Sequence, residues 1–241
     1  MTLRSWADIA LQVDLKLKYK FRLILEETHS YGVLGRHGRG LTEHQNVDPT
    51  LVDMIVGSLA GALCAGGGFC AGGDDIVEHQ RISSAAYTFS AALPAMLATT
   101  ASETIQLLQE HPEHVRDLRD NTRAMRAQLD GRSDFMVCTS AMEVPICVLV
   151  IQEEIVQARG WQREDVELVL QDVVDECLAN GVLVTRMKSM PIALGVAPRD
   201  QGWQSQPAIK VCVTTGLTKK EIEKAGTVVR HAIAKVFTKR R

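Results

Sequence analysis

Residues 21–40 of the chain read FRLILEETHSYGVLGRHGRG, an apolar run followed by a polar turn and a loop with four glycines. The run at 21–25 predicts a buried β-strand, because it is short, apolar and bounded by the polar residues 26–30. The glycines predict tight turns that need positive backbone φ angles. Their spacing differs from the GxGxxG pattern of dinucleotide-binding proteins and from the P-loop. This stretch therefore predicts an α/β domain in which a strand leads into a glycine-rich loop.

C-terminal to this stretch, the hydrophobic pattern first predicts further short strands and then, from Pro94, long helices. Towards the C-terminus it predicts a smaller unit with both strands and helices. The predicted strands lie at 54–56, 66–72 (a strand or a turn), 135–139, 146–151, 181–185 and 209–214. One predicted helix begins at Pro94 and is broken at His111-Pro112, and a second follows it to about residue 129. A third is predicted at about 163–178, and a last one begins with a capping box at Thr218. A polar loop is predicted at 191–206.

The composition is that of an ordinary globular chain. Hydrophobic residues make up 46% and charged residues 23%, so the chain can build a core without disulfides or metal. The 27 Lys and Arg residues against 29 Asp and Glu give a net charge of −2, which provides no overall attraction to nucleic acid. The six cysteines form no CxxC pair, and the histidines lack the spacing of metal ligands. We therefore expect reduced thiols, no metal site, no nucleic-acid partner and, since no apolar run reaches roughly 18 residues, no membrane span in this chain.

Three stretches together carry a family resemblance. They are EETHSYGVLGRHGRG at 26–40, DMIVGSLAGALCAGGG at 53–68 and YTFSAALP at 87–94. Their order and spacing resemble the α-oxoamine synthases, pyridoxal-phosphate enzymes of fold type I that condense an amino acid with an acyl-CoA. The resemblance runs from about residue 15 to the C-terminus. It implies an α/β fold type I transferase, in which the C-terminal half of the large domain is followed by a small α+β domain.

Two positions of the family motif have changed in a way that bears on the chemistry. Such enzymes need a lysine to hold the cofactor as a Schiff base and an acid beside its pyridine nitrogen. The family lysine position is Gly61 here, and no lysine occurs from Phe21 to Met187. The family aspartate position is Glu26, whose extra methylene displaces the carboxylate by about 1.5 Å. We therefore expect no catalytic residue in this chain and no covalently bound pyridoxal phosphate.

Some members of this family consist of two related subunits, only one of which carries the lysine. Within the family, the sequence of residues 26–44 is most similar to the subunit that lacks the lysine. The resemblance implies a heterodimer that joins L-serine and palmitoyl-CoA with loss of carbon dioxide to give 3-ketodihydrosphinganine, the first committed step of sphingolipid synthesis. The lysine-bearing partner subunit would hold the pyridoxal phosphate covalently, at a site shared by both subunits. The resemblance also implies a complex at the cytosolic face of the endoplasmic reticulum membrane.

The resemblance points to three candidate cofactor-binding residues. His29 matches the histidine that hydrogen-bonds the cofactor's phenolic oxygen, although a loop histidine bonded to backbone is an alternative. Thr88 and Ser90 lie where family members lend a hydroxyl across the interface to the phosphate of the partner's cofactor, with Ser90 the better candidate. Each hydroxyl could instead bond within its own turn. The family arginine that binds the substrate carboxylate is replaced by Ala208.

Other interpretations stay open at this point. The resemblance leaves residues 1–14 unassigned and assigns 15–110 to part of the large domain, 111–130 to a connecting helix and 131–241 to the small domain. Because the first half of the large domain would be missing, the chain could be a truncated, inactive dimerisation module or an incomplete gene model. The predicted strands near residues 24 and 55 would then lie at an exposed apolar edge. A self-sufficient α-oxoamine synthase is disfavoured by Gly61 and Ala208.

Overall fold

The computed structural model describes residues 6–187 and 206–239, which belong to two compact units. The first unit comprises residues 6–117, and the second comprises the described residues from 118 onward. The boundary falls within one helix, Glu113–Leu129. The loop predicted at 191–206 lies, apart from Gln206, outside the described residues.

The first unit is a small α/β sheet structure with helices around it. Its helices are α1 (Ile9–Tyr19), α2 (Leu41–His44), α3 (Asp74–Ser83), α4 (Ala85–Phe89), α5 (Ala95–Glu110) and the start of α6 (Glu113–Leu129), with a 3-10 turn at Pro49–Leu51. Its strands are β1 (Ile24–Glu26), β2 (Met54–Ser58) and β3 (Gly68–Gly72). The sheet order is β1-β2-β3, with β1 parallel to β2 and β3 antiparallel to it.

The strands predicted near residues 24, 55 and 69 are confirmed, and the sheet order refines where the edge lies. β2 is the central strand and β1 is an edge strand, so among the described residues β1 rather than β2 presents an unpaired strand edge. The break at His111-Pro112 is also confirmed, because α5 ends at Glu110 and α6 begins at Glu113.

Helix α1 begins at Ile9, within the stretch 1–14 that the sequence left unassigned. The Asp8 side chain caps it by accepting a hydrogen bond from the Leu11 backbone at 2.9 Å. Ile9 and Val13, one helical turn apart, are buried against Leu25 and other core residues of this unit. Residues 16–20 read KLKYK, so lysines alternate with apolar residues as they would in a half-buried strand. They lie instead at the C-terminal end of this helix and just beyond it, so the alternation does not mark a strand.

A buried aspartate joins α1 to the sheet. Asp53, just before β2, accepts a hydrogen bond from the Leu23 backbone and ion pairs with Lys16 and Arg22, each at 2.8 Å. Burial opposes ionisation, but the Leu23 amide and the two cations outweigh it and hold the pKa of Asp53 well below its usual range.

The second unit is an antiparallel sheet covered by long helices. Its strands are β4 (Met136–Cys138), β5 (Ile146–Ile151), β6 (Thr185–Met187) and β7 (Ala208–Cys212), in the order β4-β5-β7-β6. Its helices are the rest of α6, α7 (Glu153–Ala158), α8 (Arg163–Ala179) and α9 (Lys219–Lys239). The buried side chains of the strands and helices form one continuous core that includes Val169, Val173, Ile209, Ile233 and Phe237.

Local signals predicted most of the second unit. Helix α8 ends at Asn180 and Gly181, where Gly181 has a φ of +80°, and the Thr218–Glu221 capping box opens α9 as predicted. The strand predicted at 181–185 is wrong in position, because these residues first close α8 through bonds such as Val182 N–H to Cys177 O at 2.9 Å. In the part of the chain that the structure describes, no helix is both long and apolar enough to cross a bilayer.

Candidate functional site

The glycine-rich loop after β1 is held by a buried carboxylate. Glu27, only 1% exposed, accepts hydrogen bonds from the Leu41 backbone N–H with both oxygens at 3.0 Å and from the Ser30 hydroxyl. Gly40 has a φ of +92°, and a Cβ at that position would lie 2.6 Å from a Glu27 oxygen. The loop shape therefore depends on a glycine against a carboxylate, as close approach requires.

A second carboxylate, Glu43 of α2, organises the middle of the same loop. It accepts hydrogen bonds from the Arg39 backbone at 3.0 Å and from the His37 backbone, and it lies 2.6 Å from His37 Nδ1. A side chain at Gly35, where φ is +81°, would overlap this carboxylate. Burial opposes ionisation of Glu43, but these hydrogen bonds outweigh it and lower its pKa. The loop is thus preshaped by polar contacts within the chain.

The structure brings the family positions 26, 29 and 61 into one region, beyond the ends of the parallel strands β1 and β2. The Thr28 hydroxyl accepts a hydrogen bond from the Ser58 backbone at 3.0 Å, which ties the two strand ends together. Gly61 lies in the exposed turn after β2, where a Cβ would meet only the Thr28 carbonyl oxygen, at 3.6 Å. A side chain therefore fits sterically at the family lysine position, although the residue there has none.

The residues present do not fit a covalently held pyridoxal phosphate. The stretch around this site from Phe21 to Met187 offers no amine to form the Schiff base. The Glu26 carboxylate turns back on its own chain and accepts a hydrogen bond from the Thr28 backbone at 2.9 Å. The two groups that the chemistry needs, the amine and the aligned acid, are therefore both lacking here.

His29 and the two hydroxyls have different surroundings. His29 is half-buried in the turn after β1, and within the described residues its ring makes no hydrogen bond, so the alternative of a backbone-bonded histidine gains no support. The Thr88 hydroxyl donates to the Ser84 carbonyl at 3.1 Å within α4, as its structural alternative requires. Ser90 follows α4 in extended, exposed backbone. The cofactor roles of all three residues stay predictions.

Large apolar side chains are exposed around Thr88 and Ser90. We call residues 82–96 the apolar segment; its exposed members include Ile82, Tyr87, Phe89 and Met96, and Phe89 is 86% exposed. Several large apolar side chains exposed within one short segment are a feature of interaction sites in soluble proteins. The motif at 87–94 located this segment in the sequence, but burial was needed to show that its aromatic residues face outward.

The first unit also contains a cavity of about 580 Å³ that sequence reasoning missed. It lies between the glycine-rich loop, the β2–β3 hairpin and α5, and its lining is largely apolar, with Tyr31, Leu63, Phe69 and Ile105 among the contributors and Arg39 also on the wall. This is the size of a ligand pocket. No local pattern could have predicted it, because its walls come from distant parts of the sequence.

The family position for the substrate carboxylate has become part of the core. Ala208 begins β7, opposite Met187, and is 1% exposed. A buried arginine is costly unless its charge is paired, so the alanine suits this enclosed position. Across the described residues, no group of three or more His, Cys, Asp or Glu side chains is placed to hold a metal ion.

Comparisons with known proteins place the chain in a family. The family model described as aminotransferase class I and II matches residues 1–229. The chain is 34% identical to serine palmitoyltransferase 1 of Dictyostelium discoideum, over 93% of this chain and 46% of that protein. It is 33% identical to long chain base biosynthesis protein 1 of Arabidopsis thaliana, over 94% of this chain and 44% of that protein. The chain thus spans a little under half the length of these relatives.

Solved structures confirm the predicted fold. A structure described as SPT with PLP internal aldimine superimposes with a TM-score of 0.77 at 20% identity, over 98% of this chain and 53% of that one. The 8-amino-7-oxononanoate synthase of Francisella tularensis gives a TM-score of 0.65 at 18% identity, over 93% of this chain and 59% of that one. The α/β fold type I prediction, with part of a large domain followed by a small α+β domain, is therefore confirmed. On the evidence of the matching family model and of this fold, the chain belongs to the class I and II aminotransferase family.

Proposed function

We propose that this chain acts as the non-catalytic subunit of a serine palmitoyltransferase. The complex would condense L-serine with palmitoyl-CoA, release carbon dioxide and yield 3-ketodihydrosphinganine for sphingolipid synthesis. The relatives named serine palmitoyltransferase 1 support this assignment. The carrying observation is Gly61, which occupies the family lysine position in a stretch that has no lysine for 167 residues, from Phe21 to Met187.

In this proposal the partner subunit carries the lysine and holds pyridoxal phosphate covalently. This chain keeps the loop frame around Glu27 and Glu43, so it still presents a shaped surface without performing the chemistry itself. Ser90, exposed at the end of α4, would donate a hydrogen bond to the phosphate of the partner's cofactor. His29 and Thr88 would lie at the same shared site. The complex would work at the cytosolic face of the endoplasmic reticulum membrane.

The apolar segment 82–96 would form part of the contact with the partner. Its exposed aromatic residues, Tyr87 and Phe89, are the residue type that dominates binding energy at protein interfaces. Because they flank Thr88 and Ser90, binding at this segment would also bring both hydroxyls to the partner. The exposure of the segment supports this assignment, and the variant experiment below tests it.

Co-expression with the lysine-bearing subunit tests the proposal. We expect the two chains to purify together, serine palmitoyltransferase activity to require both, and borohydride reduction to fix the pyridoxyl group on the partner. Phe89→Asp should abolish co-purification, because it places a charge in the centre of the apolar segment. Leu183→Asp is the matched control, since Leu183 is 77% exposed in the second unit and outside that segment.

Two outcomes would contradict the proposal. The first is a pyridoxyl label within residues 21–187 of this chain, or product formed without a partner. Either observation would favour the alternative that the chain is a self-sufficient α-oxoamine synthase. Stable association that adds nothing to the partner's activity would favour the inactive dimerisation module instead. Since both alternatives predict a different label or activity, the same preparation distinguishes them.

A further inference from the structure

A buried arginine and two cysteines form a polar cluster in the core of the second unit. Arg126 of α6 is 6% exposed, and its Nη1 atom lies 2.6 Å from Cys138 Sγ and 2.9 Å from the Ser140 carbonyl oxygen. Its Nε donates to Asp130 at 2.8 Å. The guanidinium therefore directs one edge at a carboxylate and another at a cysteine sulfur at the end of β4. A cation placed in this way stabilises a thiolate.

The second cysteine, Cys147, lies on the same face of the sheet. Cys138 is opposite Leu149 in the β4–β5 register, and Cys147 precedes Leu149 by two residues on β5. Side chains two residues apart on a strand point to the same face, so Cys138 and Cys147 are diagonal cross-strand neighbours. Cys147 is fully buried, whereas Cys138 is only partly buried. Cys138 is thus the more exposed residue of the pair.

The polar and titratable groups around the Cys138–Cys147 pair come from each neighbouring element. They are Arg126 and Asp130 from α6, Ser140 beyond β4, and Cys147 from β5. Hydrogen bonding by Cys147, then by Ser140, together with the Arg126 charge, lowers the pKa of Cys138 against the effect of burial. The same pairing and burial raise the pKa of Cys147. The negative charge is therefore favoured on Cys138, the less buried residue of the pair.

We propose that Cys138 is a modification site for hydroperoxides and that Cys147 resolves the oxidised sulfur to a disulfide. The Cys138 thiolate attacks one peroxide oxygen, the O–O bond breaks, and the leaving hydroxide or alkoxide takes up a proton. Once oxidised, Cys138 is neutral, so its negative charge no longer opposes ionisation of Cys147. The Cys147 sulfur then gives up its proton and attacks the sulfenic sulfur as a thiolate, and the sulfenic oxygen takes up that proton and leaves as water. The peroxide gains two electrons, and the two thiols lose them.

The geometry also predicts how the disulfide behaves. Diagonal positions of an antiparallel pair are about 7–8 Å apart, slightly beyond the roughly 4.4–6.8 Å between the Cα atoms of most disulfides. Closure therefore needs the end of β4 to shift, and β4 is a three-residue edge strand. A bond made in this way is readily reduced, so the modification is reversible.

Thiol reactivity tests the first half of the proposal. The full chain, alone and in complex with its partner, is given a brief pulse of iodoacetamide at several pH values, and each cysteine is quantified by peptide mass spectrometry. The exposed Cys64 and Cys212 are the reference thiols. At about pH 6.5 an ordinary thiol is roughly 1% thiolate, so we expect Cys138 to react about tenfold faster than either reference. In denaturant the difference should disappear.

Peroxide treatment tests the second half. We expect hydrogen peroxide to produce a Cys138–Cys147 disulfide in the unmodified chain and a dimedone adduct on Cys138 in Cys147→Ser. Cys138→Ser should leave Cys147 reduced. Arg126→Met removes the positive charge and should shift the reactivity of Cys138 towards higher pH. Arg126→Lys keeps the charge and controls for a folding defect, so it should shift the reactivity less than Arg126→Met does.

Either of two results would overturn the proposal. If Cys138 reacts no faster than Cys64 and Cys212 at about pH 6.5, Cys138 is not a stabilised thiolate. If the unmodified chain forms a dimedone adduct on Cys138 but no Cys138–Cys147 disulfide, Cys147 does not resolve the oxidised sulfur. A disulfide between Cys138 and a cysteine other than Cys147 would also contradict the resolving role of Cys147.

Discussion

Two phenylalanines, one in each unit of the chain, lie in opposite surroundings. In the second unit Phe237 is fully buried and stacks on Phe135, with ring centroids 4.9 Å apart. In the first unit Phe89, a side chain of the same type, is almost wholly exposed within the apolar segment. Phe237 thus contributes to the core of the second unit, whereas Phe89 has few contacts within the described residues through which it could stabilise the fold. The same amino acid should therefore report on folding in one unit and on assembly in the other.

The largest expected effect is the contrast between these two phenylalanines. Phe237→Ala should lower the free energy of unfolding by about 3–5 kcal/mol, because it opens a cavity in a packed core. Phe89→Ala should change it by less than about 0.5 kcal/mol, as for other surface substitutions, yet weaken binding to the partner. Urea unfolding followed by tryptophan fluorescence measures the first, since Trp161 lies 5.9 Å from the Phe237 ring. Equal losses of stability in both variants would remove the contrast.

A smaller effect separates two adjacent glutamates. Glu27→Gln should cost about 2–3 kcal/mol, because the buried carboxylate accepts the Leu41 amide and the Ser30 hydroxyl. Glu26→Gln, its control, should cost less than about 0.5 kcal/mol, since Glu26 is exposed and an amide oxygen can still accept from Thr28. Urea midpoints of the two variants give the comparison. A larger loss in Glu26→Gln would mean that the loop is held by other contacts.

Acid should act on the first unit through Asp53. The pKa of Asp53 in the folded state lies below its unfolded value of about 3.9. The ion pairs of Asp53 therefore stabilise the fold fully above about pH 4, and this stabilisation is lost as the pH falls further and the carboxylate is protonated. Asp53→Asn should be less stable than the unmodified chain near neutral pH, and the difference should narrow in acid. Thermal unfolding from about pH 7 down to about pH 3 measures this. A difference that stays constant with pH would show that Asp53 acts through packing alone.

The smallest structural effect is expected for Gly61→Lys. The position is exposed and its φ is not positive, so the lysine should change the free energy of unfolding by less than about 0.5 kcal/mol. We expect no product from this variant without a partner, because Glu26 and Ala208 leave the ring nitrogen and the substrate carboxylate without their family contacts. A product assay on the purified chain checks this. Turnover by the single variant would show that the lysine alone had been lacking.

Sequence reasoning succeeded where the signal was local. The capping box at Thr218, the glycine that ends α8 and the Pro112 break each act within one or two turns of the chain, and each was predicted. Helix α1 was missed because its clear alternation, at 16–20, belongs to an end that solvent surrounds, while its buried contacts, Ile9 and Val13, form only with distant residues.

The candidate site was predictable as far as motifs reach. The motif singled out His29, Thr88, Ser90 and Gly61 as candidate positions, whose roles stay predictions, and it marked Ala208 as the position where family members have an arginine. It could not show that Ala208 is buried, because burial depends on how β7 pairs with its neighbours. The contact between Arg126 and Cys138 was also beyond sequence reasoning, since it joins a helix to a strand through side-chain packing.

The buried carboxylate of Glu27 has a consequence for backbone dynamics. Loop amides usually exchange their hydrogens with solvent rapidly, because local opening costs little. The Leu41 N–H lies at the end of a loop, yet it points at both oxygens of a side chain that water does not reach. Its hydrogen should therefore exchange about as slowly as those of β2, which makes this amide a marker for the moment when the frame of the site opens.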